Sequence, residues 1–446
     1  KIKISNGEMN MAISYLKRAT MTAATSEMEV RETVSTILAE IEKGGESVAL
    51  GYCRKLDQWS GDIIVSEQQI LDALRQVPDQ LKDDIRFARD NVRRFAEAQR
   101  ASIRDVEIEI LPGLIAGHRN IPVSTAGCYV PGGRYAHIAS AIMSVTTAKA
   151  AGVETVVACS PPRHATGIHP AQIFALKECG ADIILNMGGV QGIAAMSFGL
   201  FGCPPADILC GPGNQFVAEA KRLLYGRVAI DMFAGPTENL IIADHSADAE
   251  IIATDLMGQA EHGYNSPVWL ISLDKNLGER VSEIVPRLIE TLPEPNRSSA
   301  FDAWRDYGEI VIVDTRAEAV ELADNYAAEH LQVQCSDLGW WHDNLRNYGS
   351  LFLGAQTTVA FGDKVSGPNH ILPTKRAARY TSGLSVGKFL KAATWQRMEE
   401  SALRTIAPSC ARISRSEGME GHARTADIRL AKYFPTDNFD LISPLD

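Results

Sequence analysis

The chain has 446 residues, of which 45% are hydrophobic and 22% are charged, as is typical of a globular protein with two or three domains. Asp and Glu number 55 against 44 Lys and Arg, and the net charge of −11 argues against nucleic acid or an anionic membrane as the main partner. The first residues lack the apolar run of a signal peptide, no stretch is long enough to span a membrane, and the eight cysteines show no paired spacing. We therefore expect a cytoplasmic location with reduced thiols.

Helical and strand patterns alternate along most of the chain. Residues 25–105 show the 3–4 spacing of amphipathic helices, and short apolar runs bounded by Gly or Pro follow from 127 to 235 and again from 239 to 355. Such runs are typical of strands buried in parallel sheets. The sequence predicts an α/β fold with two incomplete Rossmann-like domains, residues 1–126 with 238–373 and residues 127–237. Residues 374–446 are predicted to form a helical arm, which is too small for its own core and packs on another domain or a partner subunit.

Four glycine-rich turns follow strand-like segments, at residues 129–133, 188–191, 211–214 and 235–238. Ligands of open α/β sheets bind at the carboxyl ends of strands, where glycine lets the backbone approach a phosphate or a ring. Each turn alone is equally compatible with an ordinary tight turn. Four in succession favour a site for a nucleotide-sized ligand.

A helix is predicted over residues 247–263, with Ser246 or Asp248 as its N-cap and Gly263 as its C-terminal stop. Its last turn carries Gln259 and His262, and the i, i+3 spacing places both side chains on one face. An amide oxygen and an imidazole nitrogen can supply half of a metal site. Taken alone, this helix is better explained by a hydrogen-bonded core histidine, and only the rest of the sequence favours the metal site.

Three further groups carry potentially reactive side chains. Glu329 and His330, at the predicted end of a helix, can supply two proton-transfer groups to one site. Taken locally, a histidine placed favourably against the helix dipole explains them better. The segment 362–370 is predicted to be a loop and contains a carboxylate, an ammonium and an imidazole, those of Asp363, Lys364 and His370. Glu417 and His422 lie in a terminal helical stretch.

The ordered motifs YVPGG, GGVQGIAA, GPGN, DMFAGPTE, GQAEHG, AEHL, GDKVSGPNHILPT and EGMEGH resemble those of the histidinol dehydrogenase family over almost the whole chain. The resemblance implies a homodimer whose C-terminal tail crosses to the neighbouring subunit, with 127–237 as the NAD-binding domain. It places zinc ligands at Gln259, His262, Asp363 and His422, a catalytic pair at Glu329 and His330, and NAD contacts at Tyr129, Gln191 and Asn214. It also places substrate contacts at Thr237, His330, Glu417 and the zinc ligands themselves.

The same resemblance implies a reaction. Members of the family oxidise a primary alcohol to a carboxylate through a bound aldehyde, with two NAD⁺ used in turn. His330 would take the hydroxyl proton as hydride leaves, and Glu329 would activate water for attack on the aldehyde. A structural zinc protein is disfavoured because the ligand set has no thiolate, and a metal-dependent hydrolase leaves the nucleotide-type turns without a use.

The chain departs from the family pattern beside the ligand motifs. Lys364 stands where an aromatic residue is common, Thr237 replaces a serine, and Arg134 and His137 follow the first glycine-rich turn. These segments look most like the sulfopropanediol dehydrogenase branch of the family. That resemblance implies oxidation of (R)-2,3-dihydroxypropane-1-sulfonate to (R)-3-sulfolactate, with Lys364 and either His137 or Arg134 binding the sulfonate. Histidinol is the alternative substrate.

Overall fold

A computed structural model describes residues 13–21, 27–132, 136–163, 166–232 and 235–442. The chain divides into two compact units, residues 1–100 with 123–389 and residues 101–122 with 390–446. The helices and strands before the first parallel sheet are β1 (Ser14–Lys17), α1 (Glu27–Tyr52), α2 (Glu67–Gln76), α3 (Asp79–Ser102), β2 (Val106–Leu111) and β3 (Leu114–Pro122). A short π-helix, Cys53–Asp57, follows α1.

The first parallel sheet lies in the larger unit, and its first strand leads into the first glycine-rich turn. Its elements are β4 (Thr125–Tyr129), α4 (Ile138–Ala151), β5 (Thr155–Ser160), α5 (Pro170–Cys179), β6 (Ile183–Asn186), α6 (Gly189–Phe198), β7 (Ile208–Cys210), α7 (Gln215–Leu224) and β8 (Ala229–Ile230). The strand order is β6-β5-β4-β7-β8, and all pairs are parallel. The order reverses on either side of β4, as in one half of a doubly wound fold.

The second sheet belongs to the same unit. Its elements are β9 (Asn239–Ala243), α8 (Ala249–Ala260), β10 (Val268–Ser272), α9 (Lys275–Glu290), α10 (Asn296–Tyr307), β11 (Glu309–Ile312), α11 (Arg316–Tyr326), β12 (His330–Gln334), α12 (Leu338–Asn344), β13 (Ser350–Leu353) and α13 (Val359–Lys364). The order is β1-β11-β10-β9-β12-β13, with only the edge strand β1 antiparallel to its neighbour. Helices cover this sheet, and Leu240, Ile241 and Ile242 of β9 are completely buried. Each such side chain contributes about 1.5–3 kcal/mol of transfer free energy.

The structure confirms the α/β fold with parallel sheets and the predicted start of α8. Asp248 is the N-cap, and its carboxylate accepts hydrogen bonds from the backbone N–H groups of Glu250 and Ile251. The short runs predicted as strands on both sides of the glycine-rich turns form β4 to β11 and β13.

Two local predictions were wrong. Glu329 and His330 do not end a helix, because α11 stops at Tyr326 and Ala327 adopts a left-handed conformation (φ 48°). His330 instead opens the buried strand β12. The segment 362–370 is a loop only from residue 365 onward, since Asp363 and Lys364 lie in the last turn of α13.

The smaller unit combines a sheet with a helical pair. Strand β14 (Leu390–Met398) pairs antiparallel with β3 along its whole length, and β3 pairs with β2. The helices α14 (Glu400–Ser416) and α15 (Glu420–Tyr433) pack on each other through Ala407, Ala411, Ala423, Ala426 and Leu430. The C-terminal segment, predicted to be helical, therefore also contributes a nine-residue strand.

Two further observations concern the helices and the cysteines. Among the described residues, no helix combines the length and the apolar character needed to cross a lipid bilayer. All eight cysteines are free thiols, as the scattered spacing predicted.

Candidate active site

Glu238, Glu329 and His330 meet at the amino edge of the second sheet. Strands β9 and β12 are parallel neighbours in which His330 pairs with Asn239, so the residues that begin the two strands lie side by side. The N–H of Glu238 donates to Oε2 of Glu329 at 3.0 Å. Nδ1 of His330 lies 3.0 Å from the carbonyl oxygen of Glu238. A carbonyl only accepts hydrogen bonds, so Nδ1 carries the proton and Nε2 is the nitrogen that can act as a base.

Nε2 of His330 has no hydrogen-bond partner although it is buried. Its nearest charged neighbour is Oδ1 of Asp363, at 3.7 Å. Burial by itself lowers the pKa of His330, but the nearby carboxylates of Glu329 and Asp363 outweigh it and raise this pKa to about 9. The reciprocal attraction of His330 overcomes burial at Asp363 and holds the pKa of that carboxyl well below its usual range.

Glu329 is the buried acid of this cluster. Burial raises its pKa to about 8, and the neighbouring carboxylate of Glu238 acts in the same direction. Burial also raises the pKa of Glu238 to about 7, although the backbone N–H of Lys375 donates to its Oε1 at 2.8 Å. Carboxyl groups whose pKa values lie near neutrality can both give and take protons, which is unusual for Glu and typical of catalytic sites.

Three predicted metal ligands lie on or beside helices: Gln259 in the last turn of α8, His262 just after it and Asp363 in α13. The helix α8 ends at Ala260 rather than at the predicted Gly263, so His262 lies in the turn that follows it, where Asp363 and His330 are its neighbours. Oε1 of Gln259 is buried without a hydrogen-bond partner. Desolvation by the surrounding protein lowers the pKa of His262. Lys364 and His330 act in the same direction, and Asp363 opposes them. The residue nevertheless keeps an exposed surface in the single chain. An unpartnered amide oxygen, a neutral imidazole and an ionised carboxylate are a chemically suitable set for a divalent cation.

His370 ties this part of the site to the first sheet. Its Nδ1 donates to the backbone oxygen of Asp363 at 2.8 Å, and its Nε2 accepts from Oγ of Ser140, in the first turn of α4, at 3.2 Å. The neighbouring Asn369 donates from Nδ2 to the backbone oxygen of Met143 at 3.0 Å. The end of α13 is therefore held against α4.

Tyr129, Gln191 and Asn214 lie at the carboxyl edge of the first sheet. The hydroxyl of Tyr129 accepts from the N–H of Gly189 at 3.2 Å, and Gly189 has a positive φ of 54° that glycine adopts without strain. Asn214 caps α7 through its side-chain oxygen, which leaves its NH₂ group to donate. Oε1 of Gln191 is buried and unpartnered. The structure thus brings the three predicted cofactor residues to one edge.

The remaining predicted residues are less constrained. Thr237 is partly buried beside Glu238, His137 is partly buried at the start of α4, and Lys364 is exposed. Arg134 lies outside the described residues. In the smaller unit, Glu417 ends α14 and His422 lies in the first turn of α15, and both are exposed. Within the described chain, no group of three or more His, Cys, Asp or Glu side chains is arranged to hold a metal ion.

Sequence reasoning missed Glu238 and Asp57 as members of the site. Glu238 contributes through its backbone as well as its side chain, which no side-chain motif reveals. Asp57 reaches the first sheet from the N-terminal helices, where it accepts from the N–H of Gly188 at 3.0 Å. His370 was visible in the sequence but carried no spacing signal linking it to Ser140.

The comparisons with known proteins cover nearly the whole chain. Residues 20–430 match the family described as Histidinol dehydrogenase. A sulfopropanediol 3-dehydrogenase from Ruegeria pomeroyi is 58% identical over 431 residues, which are 97% of this chain and 99% of that protein. Another protein of that organism, described as a histidinol dehydrogenase homolog, is 58% identical over 426 residues, 96% of this chain and 98% of its own.

Proteins described as histidinol dehydrogenases are more distant. That of Gluconobacter oxydans is 36% identical over 93% of this chain and 96% of its own length. The crystal structure of the histidinol dehydrogenase from Elizabethkingia anophelis aligns with a TM-score of 0.87 at 31% identity, over 93% of this chain and 94% of that chain.

Proposed function

Because this chain belongs to the histidinol dehydrogenase family, and is thus an NAD-dependent dehydrogenase acting on an alcohol or aldehyde, we propose that its substrate is (R)-2,3-dihydroxypropane-1-sulfonate. The product is (R)-3-sulfolactate, formed through a bound aldehyde with the reduction of two NAD⁺. The observation that carries the proposal is the 58% identity to a sulfopropanediol 3-dehydrogenase over almost the full length of both chains.

His330 is the base for the first oxidation. Its Nδ1–H is held by the Glu238 carbonyl, and its unpartnered Nε2 is the group that takes the hydroxyl proton. The Asp363 carboxylate stabilises the imidazolium form of His330, which makes the ring a poorer base. A cation bound to Asp363 would offset that attraction. The same ring returns the proton to solvent before the second oxidation.

Glu329 serves the second oxidation. Its carboxyl group is buried, has a pKa near neutrality and is oriented by the N–H of Glu238. It can therefore accept a proton from a water molecule that attacks the aldehyde carbon. Loss of hydride to the second NAD⁺ from the resulting hydrate anion gives the carboxylic acid, which releases a proton to become the carboxylate product.

The proposal includes a zinc ion and the nicotinamide cofactor. Gln259, His262 and Asp363 supply one oxygen, one nitrogen and one oxygen ligand, and His422 supplies a second nitrogen. When bound, zinc polarises the alcohol oxygen, and NAD⁺ accepts the hydride. Tyr129, Gln191 and Asn214 bind the cofactor, while Thr237 and Glu417 contact the substrate.

We further propose that the enzyme is a cytoplasmic homodimer with exchanged C-terminal tails. The tail that carries Glu417 and His422 completes the site of the neighbouring subunit. Both side chains are exposed in the single chain, as residues that act in a second subunit would be. Mixing inactive His422→Ala and Glu329→Gln variants tests this arrangement, since hybrid dimers regain one intact site.

Histidinol is the second candidate substrate, supported by the histidinol dehydrogenases among the relatives. The deciding experiment supplies NAD⁺ with each alcohol and follows the reduced-nicotinamide absorbance. We expect two NADH per molecule of sulfopropanediol and little turnover of histidinol. Efficient oxidation of histidinol without oxidation of the sulfonate would contradict the substrate assignment and leave the dehydrogenase chemistry intact.

A further inference from the structure

The loop that follows β5 packs directly against the turn that follows β4. The N–H of Val130 donates to the carbonyl oxygen of Cys159 at 2.9 Å. A Cβ atom on Gly132 would lie only 2.9 Å from the carbonyl oxygen of Pro161. The α5 residue Gln172 reaches into the same turn, where its Nε2 donates to the oxygen of Pro131 at 2.8 Å. The two connections thus form one surface at the carboxyl edge of the first sheet.

Arg163 is the charged residue of this loop, and its backbone is fixed. Its N–H donates to the oxygen of Gly167 at 2.7 Å, and its own oxygen accepts from the N–H of Thr166 at 3.0 Å and from Oγ1 of the same residue at 2.8 Å. The Nε–H of the side chain is fully buried and has no acceptor within the described part of the chain. A buried guanidinium N–H without an acceptor is costly, so such a group indicates a binding partner that completes it.

Two other basic residues border the same region. His137 lies at the start of α4, and Lys364 lies in the last turn of α13, next to Asp363. The hydrogen bonds from His370 to Ser140 and to the backbone of Asp363 tie these two helix ends together. The region is therefore bounded by three separate elements, the β5 loop, α4 and α13.

The pKa of His137 reflects both its burial and the basic residues around it. Burial lowers its pKa to about 4, and the next contributions come from Lys364, His370, His262 and Arg163, all in the same direction. His137 is thus neutral, and Arg163 and Lys364 are the permanently charged groups that act on it.

We propose that Arg163 is a specificity-determining residue that binds the anionic headgroup of the substrate. The inference rests on the proposed function, because it assigns the sulfonate of that substrate to the space between Arg163, His137 and Lys364. A guanidinium donates two parallel N–H groups to two oxygens of one oxyanion, which a lysine ammonium cannot do with the same directionality. The third sulfonate oxygen is available to Lys364 or His137.

Arg163 is assigned to the substrate rather than to a cofactor phosphate because the region lies beside the proposed metal ligands. His262, Lys364 and Arg163 all lower the pKa of His137. His262 and Lys364 also border the cluster of Asp363 and His330, where the alcohol reacts. A three-carbon substrate is short, so its headgroup must lie close to the reacting carbon.

The test compares Arg163→Met and Arg163→Lys with Arg346→Met in the full-length protein. Arg346 is an exposed residue of the same unit, so its variant carries the same change in net charge. Binding of sulfopropanediol without NAD⁺ is measured by calorimetry, and KM values for sulfopropanediol and NAD⁺ are measured separately. We expect Arg163→Met to weaken sulfonate binding roughly 10- to 100-fold and to leave the KM for NAD⁺ unchanged. Arg163→Lys retains part of the affinity, and Arg346→Met behaves as the parent.

Other outcomes overturn the inference. A raised KM for NAD⁺ with unchanged sulfonate binding would assign Arg163 to a cofactor phosphate. Unchanged values for both ligands would remove it from the site while leaving the sulfonate substrate in place. If the parent itself neither binds nor oxidises sulfopropanediol, the proposed function fails together with this inference.

Discussion

Asp57 Oδ2 accepts a 2.8 Å hydrogen bond from Nε2 of Gln191, a residue 134 positions further along the chain. The same oxygen accepts the N–H of Gly188 at 3.0 Å. The amide of Gln191 is thereby fixed in one orientation, with its NH₂ group on Asp57 and its oxygen left to a ligand. An acidic residue from the N-terminal helices thus orders the turn that precedes α6.

Replacing Asp57 tests this role. We expect Asp57→Ala to weaken NADH binding roughly tenfold, because the Gln191 amide loses its charged partner. Asp57→Asn should recover much of the affinity, since its amide oxygen still accepts from Gly188. NADH fluorescence titration gives the affinities, and a thermal unfolding curve shows whether the fold is kept. Equal affinities for the parent and Asp57→Ala would show that Asp57 has no role in cofactor binding.

The proposed division of labour between Glu329 and His330 predicts different losses in the two oxidations. Glu329→Gln should slow oxidation of added aldehyde by roughly 100-fold or more and slow the alcohol step much less, because only the aldehyde requires an activated water. His330→Asn should slow both steps. Stopped-flow measurements of NADH formation from alcohol and from aldehyde separate them. Equal losses in both steps for Glu329→Gln would refute these roles.

The proposed metal site predicts loss of bound metal without loss of fold. His262→Ala and His422→Ala should each lower the zinc content and the activity, because each removes a nitrogen ligand. The exposed His245, changed to Ala, is the matched control. Elemental analysis measures zinc, and circular dichroism measures the secondary structure. Full zinc occupancy in the His262→Ala protein would exclude this ligand set.

Lys364 is expected to contribute to sulfonate binding less strongly than a buried partner. Its side chain is exposed, so solvent screens part of its charge, and Lys364→Met should cost about 1–2 kcal/mol of substrate binding. The effect should appear in the KM for the sulfonate and disappear with an uncharged diol. A similar loss with both alcohols would show that the substitution disturbs Asp363 rather than an anion contact.

A buried ion pair supports the turn at residues 211–214. Lys221 and Asp231 contact each other with side chains only 4% and 0% exposed, and Asp231 accepts the N–H of Gly211 at 2.8 Å. Lys221→Met leaves a buried carboxylate without its partner and should lower the free energy of unfolding by about 3–5 kcal/mol. Chemical denaturation measures the change. Adding Asp231→Asn should restore part of it, and no recovery would point to lost packing as the cause.

The sequence was informative where burial dictates composition. The strands of the first sheet are short apolar runs next to glycines because both of their faces are covered, and the cap at Asp248 needs only local hydrogen bonds. The predicted cofactor residues lie at one sheet edge for the same topological reason.

The strand β12 was missed because its composition is unusual. Gln332, in its centre, and Gln334, at its end, are both buried, where apolar residues are expected. Nε2 of Gln334 donates to Oδ2 of Asp255 at 3.0 Å, a tertiary contact that no local pattern reveals. The helical pattern before β12 contains no Gly or Pro that would indicate where the helix ends. In the structure, the left-handed conformation of Ala327 ends it. The strand β14 was likewise missed because its pairing with β3 joins segments far apart in the chain.

The start of β12 has a consequence for how the substrate range of this scaffold can change. The N–H of His330 bonds to the oxygen of Glu238, so the reactive pair is built into the backbone ladder of a six-stranded sheet. Any shift of these groups would have to move neighbouring strands. Arg163, His137 and Lys364, by contrast, stand on a loop and two helix ends. If these three residues bind the substrate as proposed, exchanging their side chains is expected to change which alcohol is oxidised and to leave the groups in the sheet in place.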